Sequence, residues 1–150
     1  MPVMKQKSIQ PARDIPYAEG ILMYNGTGAA IAANTLVKAA ASLPTGKCLN
    51  MTAANVNAAS VANGAVPLWI TKHAVPAGSY GVVLPWAILT NQNTAAIGAG
   101  NPAYLQDAGT GQLGPAVGTI DRVCGVCLVS HATAGAILID LRIGGVVTLS

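Results

Sequence analysis

Two groups of residues in this 150-residue chain have the types and spacing of chemical sites. The first is Cys124-Gly125-Val126-Cys127, with His131 just downstream and Cys48 far upstream, a conceivable Cys3His set for zinc. The second is Gly109-Thr110-Gly111-Gln112-Leu113-Gly114, which spells G-x-G-x-x-G, the loop whose glycines let a backbone approach a pyrophosphate. Each demands a particular setting. A metal or redox pair needs both thiols on one side of the chain, yet VCGVCLV has the composition of a strand, where residues three apart point to opposite faces. The expectation is therefore structural thiols with no metal, since free cysteine is a good small core residue. A phosphate loop needs a buried strand before it, a helix at its last glycine and an acid about 20 positions further on. Here Pro115 and Gly118 follow at once, Asp121 comes too early and Asp140 too late. Asp107, Gly109 and Gly111 suit a hairpin tip at positive φ, so the segment reads as a turn.

Little else has catalytic potential. His73 and His131 sit at the ends of apolar runs, and five acidic residues allow neither a confident Ser-His-Asp set nor paired carboxylates. Trp69 and Trp86, each in an apolar run near a proline, read as core or interface anchors. The expectation is a protein that is not an enzyme and carries no cofactor.

The elements that would hold these residues are short. Apolar runs at Ile21–Tyr24, Ala29–Val37, Lys47–Thr52, Val66–Lys72, Tyr80–Leu84, Trp86–Leu89, Ala103–Gln106, Val123–Ser130, Ala136–Ile143 and Val146–Leu149 are separated by glycine, proline and asparagine. That spacing predicts a mainly β chain, a compact β-sandwich or barrel-like body over residues 20–150. Asn25-Gly26 predicts a hairpin from Ile21–Tyr24 into Ala29–Val37, and Gly144-Gly145 predicts a closing hairpin between the last two runs. Residues 53–64 read either as a weak helix, favoured by alanine, or as a polar loop, favoured by three asparagines. Residues 1–19 hold five of the thirteen charges and Pro2, Pro11 and Pro16, without periodicity. They read as an extended arm, either a docking segment or a frayed end.

Composition narrows the partners. The chain is 52% hydrophobic but only 9% charged, against about 25% in ordinary domains. So few charges coat a lone monomer poorly, which predicts that much of the surface meets protein. A net charge of +3 spread over isolated basic residues offers no nucleic-acid groove. No run of 18 apolar residues spans a membrane, the start lacks a signal-peptide core, and three cysteines suit a reducing compartment.

The order of pieces in the last 70 or so residues carries a resemblance. Gly100–Leu105 has the form G-x-P-x-Y-L, and Asp107–Gly111 is an Asp/Gly-rich tip. Val123–Val129 follows as V-x-G-x-x-x-V, then Ala132–Gly135 as A-T-A-G and Ile137–Leu141 as I-x-I-x-L. This series resembles the head decoration, or capsid cement, proteins of tailed bacteriophages, with Cys124 and Cys127 at valine-like positions. The resemblance implies a mainly β homotrimer, made in the host cytoplasm, that binds major capsid protein on the outside of an assembled head and stabilises it. It implies no direct contact with nucleic acid or membrane. Lys5, Lys7, Arg13, Tyr17, Trp69 and Trp86 become the candidate contacts with capsid or neighbouring subunits. Two other readings stay open on the residues: another virion part, such as a tail or fibre-base protein, and a small-ligand or sugar-binding β module stacking on Trp69 or Trp86.

Overall fold

Short aliphatic runs cut by glycine, proline and asparagine produce eleven strands and, among the described residues, no helix. The computed structural model describes residues 20–54, 66–106, 111–116, 120–141 and 145–148. The arm, almost all of the ambiguous 53–64 segment and the 107–110 tip lie outside them.

β1 (Ile21–Tyr24), β2 (Thr35–Ala39), β3 (Met51–Ala53), β4 (Trp69–Thr71) and β5 (Tyr80–Leu84) form one antiparallel sheet in the order β1-β5-β4-β2-β3. β6 (Trp86–Gln92), β7 (Pro102–Leu105), β8 (Leu113–Gly114), β9 (Ile120–Val129) and β10 (Gly135–Asp140) form a second, in the order β6-β10-β9-β7-β8. β11 (Gly145–Thr148) also pairs with β9. The two curled sheets make a barrel-like sandwich, the expected fold class. Pro85 is the corner: it cannot donate to a ladder, and there the chain leaves β5 and enters β6. Between the sheets lies the larger core, with Leu36, Ile70 and Leu84 facing Leu89, Leu105 and Ile137. A smaller core covers the other face of the first sheet, where Ile31 and Val75 close over Met23, Val37, Met51 and Val83.

Among the described residues, Gly111 joins the two sheets through the backbone. Register carries β2 against β3 from Ala39↔Met51 to Val37↔Ala53, so the next rung belongs to Leu36 and Ala54. Ala54 N–H donates to Leu36 O at 2.9 Å, but the return bond is replaced. Leu36 N–H donates to Gly111 O at 2.8 Å, and Gly111 N–H donates to Ala54 O at 3.0 Å. Gly111 therefore stands inside the ladder of the first sheet while its chain continues into β8 of the second. It has a φ of 67°, and a Cβ there would run into Leu36 O and come within 2.6 Å of Thr35 Cγ2. Only glycine fits.

Two expected hairpins are not formed. Neither Asn25 nor Gly26 is among the residues at positive φ, so the two-residue turn that Asn-Gly favours is absent. β1 pairs with β5, not with the segment that follows it. Asn25 is instead fully buried: its Nδ2 donates to Ala29 O and Val75 O, both at 2.8 Å, and its Oδ1 accepts from Thr27 N–H and Thr27 Oγ1. A side chain with all these bonds holds the two loops over the smaller core together, which outweighs the local turn preference. At the other end, β11 pairs with Ile120–Val123 of β9 while β10 pairs with Gly125–Val129. Both run antiparallel to β9, so they follow one another along it and the expected reversal does not occur.

Gly111→Ala combines a left-handed φ with overlap onto backbone, and we expect it to destabilise by about 2–4 kcal/mol. Gly28 also has a left-handed φ, 80°, but has nothing within 4 Å of an added Cβ. Gly28→Ala should cost only about 1 kcal/mol. Urea unfolding of both variants checks the contrast.

Candidate interaction surface

The cysteines come together in a way the strand alternation did not predict. Ala103 of β7 pairs with Gly125, but Tyr104 pairs with Val123, leaving Cys124 as the extra residue of a β-bulge. The bulge shifts the alternation by one residue. Arg122 and Cys124 point inward before it, Cys127 points inward after it, and both thiols lie in the core between the sheets. The expectation of opposite faces is thus corrected. Each thiol is used locally: Cys124 Sγ donates to Arg122 O at 3.6 Å and Cys127 Sγ to Val129 O at 3.4 Å.

The other members of the zinc set are elsewhere. Cys48, half-buried, bridges back to Thr45 in the connection between β2 and β3. His131 is exposed and accepts, through Nδ1, the N–H groups of Thr133 and Ala134 at 3.1 and 2.9 Å, closing the turn from β9 to β10. Among the described residues no three His, Cys, Asp or Glu side chains are grouped to hold a metal. The glycine motif ends in a hairpin as expected: Leu113 and Gly114 pair with Leu105 and Tyr104, and β9, not a helix, is the next element.

Burial pushes the Cys124 thiol up to about 12, with the nearby Arg122 charge and a backbone hydrogen bond from Leu105 pulling partly back. The Arg122 guanidinium is itself buried and lowered by desolvation, with the Cys124 charge acting to raise it. Its Nη1 donates to Val66 O at 2.7 Å.

Trp69 and Trp86 are both half-buried, on different sheets. Trp69 packs against the smaller core, while Trp86 opens β6 opposite Asp140 of β10. They do not form one stacking platform. Lys5, Lys7, Arg13 and Tyr17 lie outside the described residues.

A more prominent surface is the outer face of the second sheet. Register aligns Ile88, Leu138 and Val126 in one row, extended by Pro102 across Val126. Ile88 is 51% exposed, Leu138 38% and Val126 40%. Leu128 lies two residues on from Val126 and is also exposed. None of Ile88, Leu138, Val126 and Pro102 is charged; Asp140 stands at one end of the strip, and Lys72 Nζ donates to Ile88 O at 3.0 Å along the β6 edge. Sequence reasoning missed the face because it sought chemistry at polar residues. A signal was present: VCGVCLV and AILID are apolar at both alternating positions, the pattern of strands covered on both sides. A second, smaller patch joins Leu22 to Val82 and Tyr24 to Tyr80 across β1 and β5, with the tyrosine ring centroids 5.1 Å apart.

No family model, no curated protein and no solved structure matches this chain.

The pH dependence of stability follows from the buried thiol. Its pKa is raised from 9.0 on folding, so its contribution is constant below about pH 9 and is lost as pH rises toward about 12. The slope is at most about 1.4 kcal/mol per pH unit. Urea unfolding between about pH 8 and 10.5 should show wild type losing stability faster than Cys124→Ala. The same variant should cost about 1–3 kcal/mol at neutral pH.

Proposed function

We propose that this protein is a structural virion component, a head decoration protein that binds the outside of an assembled tailed-phage capsid as a homotrimer and reinforces it. The observation that carries the reading is the outer face of the second sheet: an uncharged apolar strip four strands wide on a chain with few charges anywhere. A face of this kind is stable in water when another protein covers it. The order of strand and turn pieces through the last 70 or so residues adds the particular partner, major capsid protein. The groups that lend themselves to catalysis support the same reading. The two buried thiols are engaged with main-chain carbonyls, His131 closes a turn, and Gly111 stitches two sheets together.

In this reading the protein acts by area rather than by chemistry. Each copy lays apolar surface across capsid subunits, and pressure from packaged genome must then break those contacts as well as the shell's own. The arm, residues 1–19, adds Lys5, Lys7, Arg13 and Tyr17 as contacts with the shell or a neighbouring subunit.

Co-sedimentation with emptied phage heads tests the proposal, with saturable binding the expected result. Binding to no head preparation, together with specific binding of a sugar or small ligand, would favour the β-module reading instead. Deleting residues 2–14 should lower affinity for heads at least about tenfold, roughly 1.4 kcal/mol, while leaving the melting of the body nearly unchanged. Equal occupancy by truncated and full-length protein in direct competition would remove the arm from the contact.

A further inference from the structure

The sequence has two Asn-Gly pairs, Asn25-Gly26 and Asn63-Gly64, the second outside the described residues. The first makes no hairpin and has no part in the contacts proposed above, yet its chemistry is distinctive. An asparagine followed by glycine loses its side-chain amide readily, because glycine has no Cβ to obstruct ring closure. The Gly26 main-chain nitrogen bonds to Asn25 Cγ, the Cγ–Nδ2 bond breaks, and the proton from Gly26 N–H leaves with Nδ2 as ammonia. Water then opens the five-membered imide at either carbonyl, restoring the N–H and leaving aspartate or isoaspartate. The reaction consumes water and needs no other reactant. In the fold every polar atom of Asn25 is held. Its N–H donates to Ser79 O at 2.9 Å, and its carbonyl accepts from Gly78 N–H at 2.8 Å. Nδ2 donates to Ala29 O and Val75 O, both at 2.8 Å, while Oδ1 accepts from Thr27 N–H at 3.1 Å and Thr27 Oγ1 at 2.7 Å. The Thr27 donors alone would favour negative charge on Oδ1 during attack. Nδ2, however, faces two carbonyls, which accept hydrogen bonds and cannot supply the proton its departure needs. Swinging Cγ onto Gly26 also means giving up these bonds in a place closed to water, since Asn25 is fully buried. Pinning therefore outweighs activation.

We propose that Asn25-Gly26 is a concealed deamidation site, closed while the loops over the smaller core are tied together and reactive when they open. Its effect runs one way. An aspartate at this position sets oxygens where Nδ2 donated, against Ala29 O and Val75 O, and brings a charge into a buried place. An isoaspartate also lengthens the main chain by one carbon, between the bonds to Ser79 and Gly78 that fix its path. A molecule that opens for long enough is therefore marked, and its loops do not close again in the original way. The inference stands independently of the decoration reading.

Peptide mapping by mass spectrometry tests it, following both Asn-Gly pairs in the full chain kept in mildly alkaline buffer with and without urea. In urea Asn25 and Asn63 should deamidate at similar rates, because local sequence alone then sets the rate. Without urea Asn25 should react at least about 100-fold more slowly than it does in urea. Thr27→Val keeps the shape but removes one donor to Oδ1, and should speed the native reaction about threefold to tenfold while leaving the rate in urea unchanged. Gly26→Ala sets a Cβ that meets nothing closer than 3.6 Å beyond its chain neighbours, so it should fold as wild type does. In urea it should slow the reaction at Asn25 at least about tenfold. Asn25→Asp, equivalent to one product, should unfold at a lower urea concentration than wild type. Where that variant does not fold at all, wild type partly deamidated in urea and then refolded should carry the modification at position 25 in the fraction that stays unfolded. The proposal is overturned if Asn25 reacts as fast without urea as with it, or if Thr27→Val slows the native reaction. It is equally overturned if Gly26→Ala reacts in urea at the wild-type rate, if Asn25→Asp is as stable as wild type, or if deamidated chains refold as completely as intact ones.

Discussion

The architecture depends on one glycine wedged into a ladder. Gly111 takes a hydrogen bond from Leu36 and gives one to Ala54, and in doing so anchors the second sheet in the backbone of the first. Two sheets held only by apolar side chains can slide, because hydrophobic contact has no direction. Backbone hydrogen bonds do have direction, and the two that Gly111 makes at one rung fix where the sheets stand. The larger core then fills a gap of defined width, and the corner at Pro85 has one place to go. A residue with a Cβ cannot occupy the position, so this constraint falls on a single hydrogen atom at the α-carbon.

Buried polar groups play the same part at smaller scale. Asn25 ties the loops over the smaller core, and Thr71 Oγ1 donates to Ala32 O at 2.8 Å while accepting from Thr35 N–H. Thr94 Oγ1 donates to Val129 O at 2.7 Å and accepts from His131 N–H, binding the loop after β6 to the end of β9. Each is a short polar side chain in place of missing backbone partners, and each leaves few alternatives once buried. Among the described residues, these neutral groups fix the loops at defined positions.

That economy shapes the surface. The described body leaves apolar strips outside, and along the edges of the second sheet Lys72, Gln92 and Gln106 donate to main-chain carbonyls. Open faces with closed edges favour contact by area and shape.

Much of this was legible in the amino-acid order. Alternating apolar runs between glycines and prolines located β5 and most of the other strands, and Pro115 with Gly118 marked the glycine motif as a turn, because these signals act within a few residues. The pairing was not legible. Asn25-Gly26 has a strong local preference for a hairpin, but the buried bonds of Asn25 to Ala29 and Val75 decide against it, and Val75 lies fifty residues away. The closing hairpin failed likewise, since β11 found free backbone on β9 beside β10 rather than on β10 itself. Cys124 and Cys127 share a core because pairing with β7 inserts a bulge, which no reading of VCGVCLV alone contains. Local sequence determined which residues extend, which turn, and that the surface would be poor in charge. Partner choice, register and the side each thiol faces were decided only in the tertiary structure, because they depend on hydrogen bonds between segments distant in the chain.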